Sequence, residues 1–275
     1  MSGALRKSKE AIGRSLGYLG VTRRGLQIAK LRKQFWAADP GSVVEYAGYR
    51  IRVTDGRSFY IQCKDEFINQ IYHFESVETR PFIIDGGSNI GMSIMYFKQL
   101  YPQAQIIGFE PDPEIFEILQ ENVRKNKLDD VTLVNAGLGA EDGTALFVAD
   151  HSAGGRVSSK EDSTSSVKIQ RLSSSIDRPV DFLKLNIEGE ELPVLEELEA
   201  AGKLAKVKQL VLEYHGWANG EQRLGPLLTL LDRNEFRYLV HDFDNETGFA
   251  TKPPFRIDAE KVWFCLVYAR NTLLV

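Results

Sequence analysis

An α/β fold, built on a mostly parallel sheet with helices on both faces and an antiparallel last strand, is predicted by three observations. From residue 81 onward, short apolar runs alternate with amphipathic stretches, the pattern of strands joined by crossover helices. The first of these runs, Ile83-Ile84-Asp85, ends in an acid and passes through Gly86-Gly87-Ser88-Asn89-Ile90-Gly91 into an amphipathic segment. Two late runs, Phe236–Val240 and Val262–Tyr268, follow one another with no helix signal between them, so they pair antiparallel.

Residues 1–33 carry nine basic groups and one acid, Glu10, although the whole chain has a net charge of −4. Leu16, Leu19, Leu26, Ile28 and Leu31 give loose helical spacing. The segment reads as a solvated helical arm, or as a basic amphipathic face toward an anionic membrane or acidic partner, or as a transit peptide. Residues 43–63 read as strands: Val43–Tyr46, Tyr49–Val53 and Ser58–Ile61, with Asp55-Gly56 as the hairpin signal between the last two. Asp65 is expected to cap a helix through Phe67, Ile68, Ile71 and Tyr72. The chain thus divides into an N-terminal arm and hairpin extension, 1–78, and a main domain, 79–275.

In the main domain, Pro81–Asp85 leads into a helix over 89–100, and Gln105–Glu110 into a helix over 112–126 with Pro113 near its start. Val131–Asn135 is a third strand, and Thr144–Ala149 and Val167–Leu172 are additional ones. The Ser/Gly-rich stretch 151–166 reads as a loop. Phe182–Ile187 precedes a helix carrying Leu192, Leu195 and Leu198. Gln209–Tyr214 precedes a helix over Leu224–Leu231.

Composition excludes several classes. No apolar run reaches the ~20 residues of a spanning helix, and no apolar secretory core stands at the N-terminus. The two cysteines, Cys63 and Cys265, sit in strand-like runs and read as buried thiols, which points to a reducing cytoplasm. Four scattered histidines without a Cys/His cluster argue against a structural metal. The glycine loop lacks the Gly-x-Gly-x-x-Gly spacing of a nicotinamide site, and no Gly-Lys-Ser/Thr follows for a nucleotide phosphate loop.

Five blocks in order carry a resemblance. They are Asp85–Gly91; Phe109-Glu110-Pro111 with Asn122 and Asn126 in the next helix; Asn135-Ala136-Gly137-Leu138-Gly139; Asp181–Glu190; and Glu213-Tyr214-His215. Together they resemble the FkbM family of class I S-adenosylmethionine-dependent methyltransferases, over residues 81 to 216. The resemblance implies a Rossmann-like sheet, S-adenosyl-L-methionine as cofactor, and O-methylation of a sugar, glycolipid or secondary metabolite. It differs at Asn186, where the family usually has aspartate; an amide keeps hydrogen bonding but loses the charge.

On this reading Asp85 accepts from the cofactor's ammonium, directly or through water. Gly86, Gly87 and Ser88 let the backbone approach, and Asn89 and Gly91 open a helix whose N–H groups suit a carboxylate. Glu110 faces the ribose hydroxyls. Pro111, Asn135, Ala136 and Asn186 complete the cofactor set. Glu188, Glu213 and His215 are the candidates for a general base, at the carboxyl ends of the fourth and fifth main strands. His215 is chosen for its titration near neutrality. Glu213 and His215 share one strand face. No metal and no nucleic acid are expected, and a peripheral membrane contact through residues 1–33 stands as one of the three readings of that arm. Two other functions fit the same residues: a cofactor-binding scaffold with an impaired site, and an RNA methyltransferase.

Overall fold

The computed structural model describes residues 22–148, 156–157, 165–217, 221–241 and 262–274. Residues 1–21 of the basic arm and most of the 151–166 loop lie outside the described residues.

The main domain is a seven-stranded sheet. Its parallel core holds β3 (Phe82–Gly86), β4 (Gln105–Phe109), β5 (Val131–Val134), β10 (Phe182–Leu185) and β11 (Gln209–Trp217). β12 (Phe236–His241) and β13 (Val262–Asn271) finish it, in the order β12-β13-β11-β10-β3-β4-β5. β13 runs antiparallel to both neighbours, as the missing helix signal predicts. The order reverses between β3 and β10, which pair across the middle of the sheet. Open parallel sheets leave a crevice outside the carboxyl ends of the strands at such a point.

Helices cover both faces because each carries one apolar stripe. On one face lie α5 (Glu191–Ala200), through Leu192, Leu195 and Leu198, and α6 (Leu224–Arg233), through Leu227, Leu230 and Leu231. On the other lie α3 (Met92–Leu100) and α4 (Pro113–Lys125), through Ile94, Phe97, Leu119 and Val123. Asp112 caps α4, its side chain accepting from the amides of Glu114 and Ile115 at 2.8 and 3.2 Å. A second sheet of four short strands, β6 (Gly137–Leu138), β7 (Gly143–Val148), β8 (Arg156–Val157) and β9 (Ser165–Gln170), fills the connection from β5 to β10.

The N-terminal extension departs from expectation. Helix α1 (Arg23–Phe35) is followed by hairpin β1 (Val43–Tyr46) and β2 (Tyr49–Arg52). Its turn is Ala47-Gly48, both at positive φ, the geometry of a tight two-residue hairpin. Asp55-Gly56 is not a hairpin turn, and Ser58–Ile61 is not a strand: both belong to helix α2 (Gly56–Gln62). Asp55 caps α2 by accepting from the Ser58 amide at 2.8 Å. Gly56 lies so close to α1 that a Cβ there would stand 2.2 Å from the Phe35 carbonyl oxygen. That packing, and the T-shaped contact of Phe35 with Phe59 at 5.0 Å, override the strand propensity of the aromatic run. Asp65 does not start a helix either. It lies inside a π-helical turn, Cys63–Ile68, that continues α2, so Cys63 is helical as well.

Asn122 and Asn126 explain how the extension is held. One helical turn apart on α4, they pair with alternate residues of β2. Asn122 accepts from the Arg52 amide and donates to the Arg52 carbonyl; Asn126 does the same for Arg50. Each side chain therefore stands in for a neighbouring strand. No helix among the described residues is long and apolar enough to cross a membrane.

Candidate active site

The glycine loop joins β3 to α3, and its geometry is set by β4 and β10. The amides of Gly87 and Ser88 both donate to the Phe109 carbonyl, at 3.0 and 2.8 Å. Gly87 adopts φ +81, and a Cβ there would lie 2.0 Å from the Asn186 carbonyl oxygen. Only glycine satisfies both conditions. Gly91, at φ +93, caps α3 with no side chain on the first amides of that helix.

Asp85 is fully buried, and its carboxylate is used inside the protein. One oxygen accepts from Lys184 Nζ at 2.8 Å and the other from Ser93 Oγ at 2.6 Å. Lys184 also donates to the carbonyls of Gly86 and Gly87, at 3.2 and 2.8 Å. The pair thus clamps the loop.

Glu110 bridges two backbone segments. It accepts from the Asn89 amide at 2.9 Å and from the Asp112 amide at 3.0 Å. Burial pushes its carboxyl up to about 7, against the pull of those two hydrogen bonds. Asn135 donates to the carbonyls of Glu110 and Pro111, at 2.9 and 3.2 Å, and so fixes the turn after β4. Ala136 is fully buried beside it.

Across the crevice, β11 presents Glu213 and His215 on one face, and the loop after β10 presents Glu188. His215 Nε2 stands 3.4 Å from Glu188 Oε2 and 3.7 Å from Glu213 Oε1. Its Nδ1 is 3.3 Å from Glu191 Oε1. Burial opposes a charge on the ring, but the Glu191 hydrogen bond and the charges of Glu188, Glu191 and Glu213 outweigh it and push the pKa up to about 10. The expectation of a histidine titrating near neutrality is therefore corrected: His215 is an imidazolium at neutral pH. Glu213 takes that range instead. Burial and the charges of Glu188 and Glu191 raise its carboxyl to about 7, against His215 and Lys184. Its Oε2 accepts from Asn186 Nδ2 at 3.1 Å.

Two contributors escape the sequence reading. Glu191 organises the β10–α5 loop, accepting from the amides of Ile187 and Gly189 at 3.2 Å each as well as from His215. Glu188 and Gly189 there both have positive φ, which marks a tight turn that needs such support. Glu66, from the π-helical turn, is buried, and Lys184, Asp85 and Glu213 all act on its charge. Burial raises its carboxyl well above the ordinary range. Gln62, one turn earlier, donates to Asn89 Oδ1 at 3.0 Å. The extension thus forms one wall of the site. Three buried acceptors in this region lack a hydrogen-bond partner: Gln62 Oε1, Glu66 Oε2 and Asn186 Oδ1. No group of three or more His, Cys, Asp or Glu among the described residues is arranged to hold a metal ion.

Comparison with known proteins bears on this arrangement. Residues 85–238 match the family model described as the methyltransferase FkbM domain. Methyltransferase 1 of Beauveria bassiana is 31% identical over 163 residues, covering 50% of this chain and 66% of that protein. Methyltransferase sdnD of Sordaria araneosa is 38% identical over 82 residues, covering 30% of this chain and 32% of that protein. The match therefore spans just under two thirds of one relative and about one third of the other. Among solved structures, the FkbM methyltransferase of Methylobacillus flagellatus KT aligns with a TM-score of 0.46 and 15% identity, over 93% of this chain and 60% of that one.

Proposed function

Because this chain belongs to the FkbM methyltransferase family, we propose that it methylates a hydroxyl of a sugar, glycolipid or secondary metabolite, with S-adenosyl-L-methionine as donor. The residues present suit that donor. Gly87, packed against the Asn186 carbonyl, keeps the loop free of a side chain beside its methionine part. The uncapped start of α3 suits its carboxylate. Glu110 follows the second main strand, the position at which dinucleotide folds carry the acid for a ribose diol, and this supports the same role here. Asn135 and Ala136 close the adenine side.

When bound, the donor supplies a methyl group already activated by its sulfonium. The protein must then align the acceptor, exclude water and take up a proton. The observation that carries this reading is the placement of Glu213, a half-buried carboxyl 3.7 Å from His215 Nε2 and 3.1 Å from Asn186 Nδ2, which burial and the neighbouring acids raise to about 7. The hydroxyl proton goes to Glu213 Oε1, the oxygen not used by Asn186. The His215 imidazolium keeps Glu188, Glu191 and Glu213 from repelling one another. An RNA acceptor gains no support, since the acids on this side of the crevice repel a phosphate backbone.

Calorimetric titration with S-adenosyl-L-methionine tests the reading. One site of micromolar affinity is expected, lost in Glu110→Ala with the melting transition retained. Transfer to carbohydrate hydroxyls, followed by mass spectrometry, then identifies the acceptor. A folded, cofactor-free protein that binds no donor would overturn the reading.

A further inference from the structure

The three unpartnered acceptors come from separate parts of the chain: Gln62 and Glu66 from the extension, Asn186 from the end of β10. An orphaned buried acceptor destabilises the empty fold, so several of them around one crevice mark a place for a donor. Lys184 cannot fill it. Its three protons already go to Asp85 Oδ1 and the carbonyls of Gly86 and Gly87. Glu66 is 7% exposed, and the charges of Lys184, Asp85, Asp65 and Glu213 bear on it, so its free oxygen belongs to the crevice and not to solvent. Three of those four neighbours are acids. The buried Tyr72 hydroxyl lies in the same surroundings and pairs with Asn186, but its single proton cannot satisfy all three acceptors; among mostly acidic neighbours, a compact cation with several N–H groups can serve two of them at once.

We propose that Glu66 Oε2 and Asn186 Oδ1 receive the α-ammonium of the methyl donor, which makes the Gly56–Ile68 segment part of the donor site. The inference rests on the donor assigned above. It gives Asn186 a use for its amide: the Nδ2 end holds Glu213 while the Oδ1 end is left for the ligand.

The test is calorimetry on the full chain and on Glu66→Gln with three ligands: S-adenosyl-L-methionine, S-adenosyl-L-homocysteine and 5′-methylthioadenosine. The last shares the nucleoside but has no amino-acid part. Affinity for the first two is expected to fall about tenfold to a hundredfold in the variant, while that for methylthioadenosine stays within twofold. Retained methylthioadenosine binding also shows that the variant is folded. Unchanged affinity for all three ligands would overturn the inference and leave the donor assignment standing. Equal weakening of all three would overturn it as well, because Glu66 would then act on the loop as a whole. Wild-type protein that binds none of them would overturn the donor assignment itself.

Discussion

Glu213 and His215 sit on the same face of β11, yet burial and charge move them to opposite assignments. The histidine is enclosed by three carboxylates and keeps its proton to about 10, while the glutamate holds a proton up to about 7. If Glu213 is the base, kcat/KM rises with pH through about 7 as its carboxylate forms, and falls again toward 10 as His215 loses its charge. Glu213→Gln should lower kcat by about 10²–10⁴-fold and abolish the lower limb of the profile, with donor affinity by calorimetry unchanged. A variant that kept the limb would assign it to another group. The shared face of the two residues was legible from the two-residue period of a strand. Their protonation was not, because it depends on Glu191 from α5 and on the pairing of β13 beside the strand, and neither leaves a local signal.

The elements of the main domain were legible because each combines a hydrophobic period with a punctuating residue: Pro113 and Asp112 at α4, the glycines at α3. The extension was not. Ser58-Phe59-Tyr60-Ile61 has the composition of a strand, and what makes it helical is the local Asp55 cap, in an Asp-Gly pair that reads equally as a turn, together with the non-local contact of Gly56 with α1. Glu66 was missed for the same reason, since its place in the site follows from a π-helical turn that no spacing announces. The glycine loop was read correctly as a tight turn, but the identity of its opposing wall, the Asn186 carbonyl, appears only in the fold. Gly87→Ala combines a strained φ with a Cβ 2.0 Å from that oxygen. It should cost about 1–3 kcal/mol in urea unfolding and remove donor binding, since β3 and β10 must part to admit the methyl group. An unchanged unfolding midpoint would show that the loop yields instead.

Over the whole molecule, the buried acids and the histidine act in one direction. Glu110 and Glu213 rise from 4.5 to about 7 on folding, and His215 from 6.5 to about 10. A group with a raised folded pKa contributes stability that is complete below its unfolded pKa and is lost as pH climbs through the folded one. The empty protein should therefore melt at progressively lower temperature from pH 4.5 to about 7, through the two glutamates, and further from 6.5 to about 10, through the histidine. Scanning calorimetry across that range checks it; a flat profile would mean that the acids relax toward solvent. At this scale the parallel sheet and its antiparallel strand were legible, whereas the strand order was not, because the pairing of β3 with β10 joins residues that are 99 apart, such as Asp85 and Lys184. The place of β13 between β11 and β12 has one more consequence, which concerns synthesis. β12 leaves the ribosome before β13, yet its one strand partner in the sheet is β13. Until Val262–Asn271 emerges, β11 lacks one neighbour and β12 lacks its partner among the described strands, with Leu239 and Val240 of β12 open to passing chains. The interval between translating β12 and β13 is thus the window in which a chaperone has the most to protect.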